Sequence, residues 1–531
     1  MTRPTVSGAE AWRPGSLRRL ADEWDEAARG MSVRTDSAAA AIAGASWTGA
    51  TADAAAEQGQ RMSAAADAAA RTLVLAGVAA RDGADQIAAA RAGVLTLVTE
   101  ARDGGFDVTD DGAVTATAQA APLLVALSGG DAAVAREMLT ARATRLSAQI
   151  VDALERLGAA DADAAADIDE AFASNPPSAA AATVPTAAVP EGVTVADWPA
   201  MRPDQIGARI DAMTPAQRQR LVDEFPHAVG NTDGVPWDMR AAANRVNIAQ
   251  AIVDGLDDPA ARQRAAFYRA LLGEIDDPAG GGQRIDRQIL AFDPTRSALV
   301  ELNGNLSTAT SVAVLVPGLN TTIEGSAANT ATARRFVAAT RGEVAAITYL
   351  GGPFPRGELI GGVLDAADPR YALDMAPRLV AFGADVDRTV DATGRRVPVT
   401  VIGHSYGGSI VGTAEALGLT ADRMLYVAAA GAGVGVDDPG DWHNRNPDVL
   451  RFSMTAPGDF IEAVQGVPGG PHGADPDEMP GVIRLLTGHY DDGGLVAGPR
   501  AHSDVLNRPS DAWRNVLAVI TGDSETLHRA G

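Results

Sequence analysis

The chain of 531 residues contains no cysteine and no lysine: all 44 cationic side chains are arginine, set against 68 Asp and Glu for a net charge of -24. Without cysteine there is neither a disulfide framework nor a thiolate metal site, and the redox compartment leaves no trace. The lack of lysine, beside heavy use of Ala, Gly, Asp and Arg, reflects the codons of a GC-rich genome. A chain this acidic is unsuited to nucleic acid or to an anionic membrane surface. No run of 18 apolar residues occurs, and the opening MTRPTVSGAEAWRPGSL lacks the apolar core of a cleaved signal peptide. These absences predict no transmembrane segment and a protein that is either cytoplasmic or exported by a route that reads no cleaved signal. The length exceeds what one core supports and predicts two or three domains.

What is present centres on Val397 to Gly412, VPVTVIGHSYGGSIVG. Five of the six residues from Val397 to Ile402 are Val, Thr or Ile, the composition of a strand buried on both faces. The turn Gly403-His404-Ser405-Tyr406-Gly407 follows without a gap, and Ser409 to Leu417 reads as a helix. A bare G-x-S-x-G would arise by chance in roughly one chain in five of this composition. Strand, G-x-S-x-G and helix in succession are the nucleophile elbow of an α/β-hydrolase. So sharp a turn leaves no space for side chains two positions either side of the serine, which Gly403 and Gly407 satisfy.

From the N-terminus, residues 8 to about 100 are Ala-rich, with Leu17, Leu20, Trp24 and Met31 on one helical face. The pattern breaks at Ser46-Trp47-Thr48-Gly49 and resumes to Leu97, where Trp47 would pack across the hairpin end and Gly49 would let the chain reverse. Two long helices joined by W-x-G resemble the ESX-type helical hairpins handled by type VII secretion, a resemblance covering the first hundred residues. It implies a partner-docking or export role. No Tyr is followed four positions later by Asp or Glu, so that family's export signal is missing. The plainer reading is a hairpin for packing, with a helical partner protein or self-association through residues 8–172.

Asp103 to Thr115 reads as a small hairpin, and a third helical zone runs from Pro122 to Phe172. The expected domains are a helical domain over 1–173, an Ala/Pro-rich linker over 174–197, a helical extension over 198–280 and an α/β-hydrolase catalytic domain over 281–531. In the extension, Thr214 caps a helix with Pro215 at its first position, and the Gly/Asn/Asp/Pro-dense start of residues 225–245 is expected to drape over the hydrolase.

Strands are predicted at Ile289 to Asp293, Ser297 to Leu302, Ser311 to Val316, Val344 to Tyr349, Arg423 to Ala428 and Leu450 to Thr455, around the elbow strand. Alternating with helices, they predict a doubly wound, mostly parallel sheet whose site lies beyond the C-terminal strand ends. After Val316 comes Pro317-Gly318-Leu319-Asn320, where the backbone N–H of Leu319, with that of Tyr406, would hold an oxyanion. After Thr455 comes Asp459, the candidate acid, with Asp437 and Asp438 as competitors. For the base, the fold's chain order of Ser, acid, His removes His443; His502 in AHSDVL is favoured over His489, and His472 sits in a Gly/Pro/Asp-rich loop. His404 is expected to pack under the elbow. His489 with Asp491 and Asp492 lacks further ligands at metal spacing, so neither a metal nor a cofactor is expected.

Residues 198 to the end, with PHAVGNTDGVP, VPGLNTT, GHSYGG, TAPGD and AHSDVL in this order, resemble an actinobacterial α/β-hydrolase family catalogued as a domain of unknown function. The resemblance covers some 60% of the chain and implies the fold and a Ser405, Asp459, His502 triad. The expected function is a serine esterase or lipase acting on a small acyl ester or lipid, with Leu359 to Val363 as a candidate acyl-pocket wall. Other readings are an inactive hydrolase domain on a docking protein, or a secreted toxin directed at lipid.

Overall fold

The computed structural model describes residues 3–44, 46, 48–117, 131–173, 195–256, 258–259, 261–357, 367–463, 465 and 470–529. Trp47, the expected linker up to residue 194 and Leu359 to Val363 lie outside the described residues. By contact the chain divides into Met1–Pro185 with Ala249–Gly273, and Thr186–Ile248 with Glu274–Gly531. The segment 198–280, expected as one extension, is therefore shared between the two units.

The first unit is built on alanine, whose small side chain costs no rotamer entropy and lets helices approach closely. Its helices are α1 (Val6–Ala11), α2 (Gly15–Ala43), α3 (Ala50–Asp103) and α4 (Ala132–Ala173), with the hairpin β1 (Phe106–Val108) and β2 (Val114–Ala116) between α3 and α4. Gly49, at φ 108°, adopts the left-handed region just before α3 begins. Ile87, Val94 and Val98 of α3 meet Leu139, Ile150, Leu154 and Leu157 of α4, with Phe106 and Val114 closing the end of this core. Among the described residues, α3 alone contains a stretch long and apolar enough to cross a bilayer. Of its apolar residues Val74, Leu75, Val78, Ile87, Val94 and Val98 are buried inside the protein, whereas Ala89 and Ala92 are exposed.

The second unit adds α5 (Pro203–Asp211), α6 (Pro215–Glu224), α7 (Pro226–Asn231) and α8 (Trp237–Asp254), the unit boundary falling within α8, while α9 (Ala261–Leu272) belongs to the first unit. The Thr214 hydroxyl accepts from the Gln217 N–H, with Pro215 at the first helical position, as expected. The start of residues 225–245 meets the sheet at its edge: α7 packs on the edge strand β5, the Asn231 amide bonding Phe292 in both directions.

The strands β3 (Glu274–Asp276) and β4 (Arg284–Asp286) form a hairpin that the sequence did not disclose. The main sheet comprises β5 (Gln288–Asp293), β6 (Ala298–Asn303), β7 (Ser311–Val316), β8 (Val344–Leu350), β9 (Val399–His404), β10 (Arg423–Val427), β11 (Leu450–Met454) and β12 (Val482–Arg484). Its order is β12-β11-β10-β9-β7-β8-β6-β5, parallel from β12 through β8, with β6 antiparallel to both its neighbours. Every residue of β6, β7 and β8 is buried, as two covered faces require. On one face α10 (Ala327–Ala339), α13 (Ala501–Asn507) and α14 (Asp511–Thr521) bury Phe336, Val505, Val516 and Ile520 against Leu315, Ile402 and Leu425. The pair α11 (Arg370–Asp391) and α12 (Tyr406–Ala416) packs together as another helical layer. The fold is that of an α/β-hydrolase, in a chain whose N-terminal part is helical.

Candidate active site

Strand β9 runs straight into Ser405, whose φ of 57° and ψ of -124° lie outside the regions open to most side chains. The turn is held on both sides: Ser405 donates its N–H to Val427 O at 3.1 Å, and its carbonyl accepts from Gly408 and Ala430 at 3.0 and 2.9 Å. The elbow glycines have identifiable reasons. A Cβ at Gly403 would lie 2.5 Å from Val411 Cγ2, and one at Gly407 would lie 2.2 Å from Val316 O, the last residue of the adjacent strand.

Beyond β7, a Cβ at Gly318 would stand 2.6 Å from Ser405 Cβ and 3.0 Å from its Oγ, so the Pro317 to Asn320 loop passes directly beside the serine. The Leu319 N–H has no hydrogen-bond partner among the described residues. Asn320, at φ 64°, supplies the clamp: its amide bonds Gly357 in both directions at 2.9 Å, and its own N–H bonds Pro355 O. The loop leaving β8 is thereby tied to the loop leaving β7. Tyr406 opens α12, with its hydroxyl donating to Asp368 O at 2.5 Å.

Asp459 follows β11 and is buried; His502 is the second residue of α13. His502 Nδ1 lies 3.0 Å from both carboxylate oxygens of Asp459. The Ile461 N–H donates to the same carboxylate at 3.0 Å, the Phe460 ring lies 4.4 Å from the imidazole, and Gly498 N–H to Pro457 O joins the two loops. The other candidates lie elsewhere. Asp437, Asp438, His443 and His489 are exposed, and the His489 N–H is bonded by Asp511. His472 is buried with Nδ1 3.0 Å from Ser409 Oγ and its ring against Tyr406, a pairing with no sequence signal. Among the described residues no group of three or more His, Asp or Glu is placed to hold a metal ion.

His404 packs its ring 5.0 Å from that of His502. Its Nε2 is 2.7 Å from the His502 carbonyl, which only accepts, so Nε2 carries the proton. Burial, with the neighbouring His502 adding to it, pushes His404 down to about 4. The unfolded chain then binds one more proton than the native state between that value and the ordinary 6.5, so stability present above pH 6.5 is lost as pH falls toward 4. The expected loss is about 3 kcal/mol. Urea titrations at pH 7 and pH 4.5 check this: His404→Gln should flatten the dependence, and an unchanged slope would refute it.

Comparison with known proteins agrees with this architecture. Residues 293–468 match the family model described as Alpha/beta hydrolase. Two Mycobacterium tuberculosis proteins, "Uncharacterized protein MT2140" of strain CDC 1551 / Oshkosh and "Uncharacterized protein Rv2079" of strain ATCC 25618 / H37Rv, are each 26% identical over 381 residues. The match covers 60% of this chain and 56% of theirs, so it spans little more than half of those relatives. The crystal structure of TT1662 from Thermus thermophilus is similar at a TM-score of 0.23 and 14% identity, covering 44% of this chain and 99% of that one, which adds nothing to the fold assignment. The family match agrees with the α/β-hydrolase fold over residues 293–468.

Proposed function

We propose that the protein is a serine hydrolase that cleaves an ester through an acyl-enzyme, with Ser405, His502 and Asp459 as its triad. The single observation that carries the reading is the contact of His502 Nδ1 with both Asp459 oxygens. A carboxylate at Nδ1 keeps that proton in place and leaves Nε2 to exchange protons with the serine. Ser405 Oγ attacks the acyl carbonyl while His502 takes its proton, and the Leu319 and Tyr406 N–H groups hold the oxyanion, each donor contributing about 3 kcal/mol. Collapse expels the alcohol, which receives the proton from His502. Water, deprotonated by His502, then attacks the acyl carbonyl, releases the acid and restores the Ser405 hydroxyl. Esters are favoured over peptides because the sequence offers no peptide-specificity loop.

The test is labelling of the purified full chain by a fluorophosphonate, with p-nitrophenyl esters of increasing chain length alongside. Wild type is expected to label and turn over, and Ser405→Ala to do neither. Equal labelling of wild type and Ser405→Ala, or a silent wild type, would overturn the reading.

A further inference from the structure

A cavity of about 270 Å³ opens within the second unit, bounded by the end of β8, the β5–β6 turn and α11. Its walls are mainly apolar, with Ala291, Val300, Leu350 and Phe382 among them. Inside it stands Tyr349, only 3% exposed, its ring 5.0 Å from that of Phe382. The Tyr349 hydroxyl has no hydrogen-bond partner among the described residues. Buried hydroxyls ordinarily find one.

Three arginines line the same cavity, and they differ in how far they are satisfied. Arg240 is consumed: Nε donates to Leu290 O at 2.7 Å and Nη1 to Asp233 and Asp385 at 2.9 and 3.0 Å. Arg378 donates Nη1 to Gly351 O at 3.0 Å and has no carboxylate within 4 Å among the described residues. Arg296 lies 4.0 Å from Asp293, and Asp233, which also lines the cavity, interacts with it at longer range. The Asp293 carboxylate is already engaged by the Thr295 N–H and hydroxyl and by the Arg296 N–H, with His227 Nε2 at 3.4 Å. The lining thus sets three guanidinium groups against the two carboxylates of Asp233 and Asp293, and among the described residues Arg378 has no carboxylate partner and the cavity-facing Tyr349 hydroxyl no acceptor, a balance suited to an anion.

We propose that this cavity binds a small organic oxyanion, a carboxylate or phosphate on a compact apolar body. Arg378 and the Tyr349 hydroxyl donate to its oxygens, Arg296 adds positive charge, and Phe382 and Val300 cover its body. None of these residues belongs to the proposed triad or oxyanion loop, so the inference stands apart from the ester reading.

Calorimetric titration of the full chain with hexanoate and with inorganic phosphate, at constant ionic strength, tests it. At least one probe is expected to bind saturably in the millimolar range or tighter. Arg378→Gln should weaken it by about tenfold or more, and Tyr349→Phe by roughly threefold to tenfold. Binding of hexanoate alone would identify the carboxylate with its apolar body, and binding of phosphate alone the phosphate group. Tyr349→Phe keeps the shape of the ring, so a fall in its affinity with an unchanged melting temperature supports the site even where Arg378→Gln folds poorly. No saturable binding to wild type, or wild-type affinity in Tyr349→Phe, would overturn the proposal.

Discussion

Replacing Asp459 by asparagine is expected to lower kcat on the best p-nitrophenyl ester by about four orders of magnitude while leaving the fold intact. The amide still offers an oxygen to the Ile461 N–H, which the carboxylate accepts at 3.0 Å. It no longer offers two acceptors to His502 Nδ1, now 3.0 Å from each. With an NH₂ group facing it, the imidazole turns its lone pair to Nδ1 and carries the proton on Nε2, where it cannot accept from Ser405. Asp437→Asn and Asp438→Asn serve as controls and should keep wild-type rates, because both carboxylates are exposed loop groups. A kcat for Asp459→Asn within tenfold of wild type would sink the assignment of this acid.

The largest expected loss of stability comes from Asp385→Ala. Asp385 is fully buried in α11 and accepts from the Gly234 N–H at 2.9 Å, Trp237 Nε1 at 2.8 Å, Arg240 Nη1 at 3.0 Å and Arg388 Nη2 at 2.9 Å. Truncation leaves Arg240, itself 2% exposed, with Asp233 as its remaining carboxylate beside the Leu290 carbonyl. Breaking a buried pair from one side costs about 3 to 5 kcal/mol, because the remaining charge stays out of water. Arg388→Ala removes a partly exposed partner and should cost about 1 kcal/mol or less. The shift of the urea transition measures both. A loss below about 1 kcal/mol for Asp385→Ala would mean that water reaches Arg240 and takes over the role of the carboxylate.

Much of the fold was legible because its strands announce themselves. VAVLV after Ser311 and VAAITYL are unbroken apolar or β-branched runs, and a strand with both faces covered calls for such a sequence. The elbow was legible for a steric reason: at Gly403 and Gly407 the space for a Cβ is already taken. The strands that escaped notice, β3, β4 and β12, have three residues each, too few for a period to emerge. The crowding at Gly412, where a Cβ would fall 1.8 Å from Ala432 O, depends on a segment twenty residues away along the chain.

What the sequence determined by itself was the strand-turn-helix at Ser405, the alternation that calls for a parallel sheet, and the order of Ser405, Asp459 and His502 along the chain. Each follows from neighbouring residues or from the order of elements along the chain. What only the tertiary structure decided was which distant groups meet. It joined Asp459 to His502, left His443 and His489 exposed, set His472 on Ser409, made Asn320 the clamp on Gly357, and gathered Tyr349, Arg296 and Arg378 around one cavity. The physical reason is that a hydrogen bond or an ion pair between residues 30 to 150 positions apart leaves no periodicity in the chain. It exists only once strand order and helix packing have brought its two ends together.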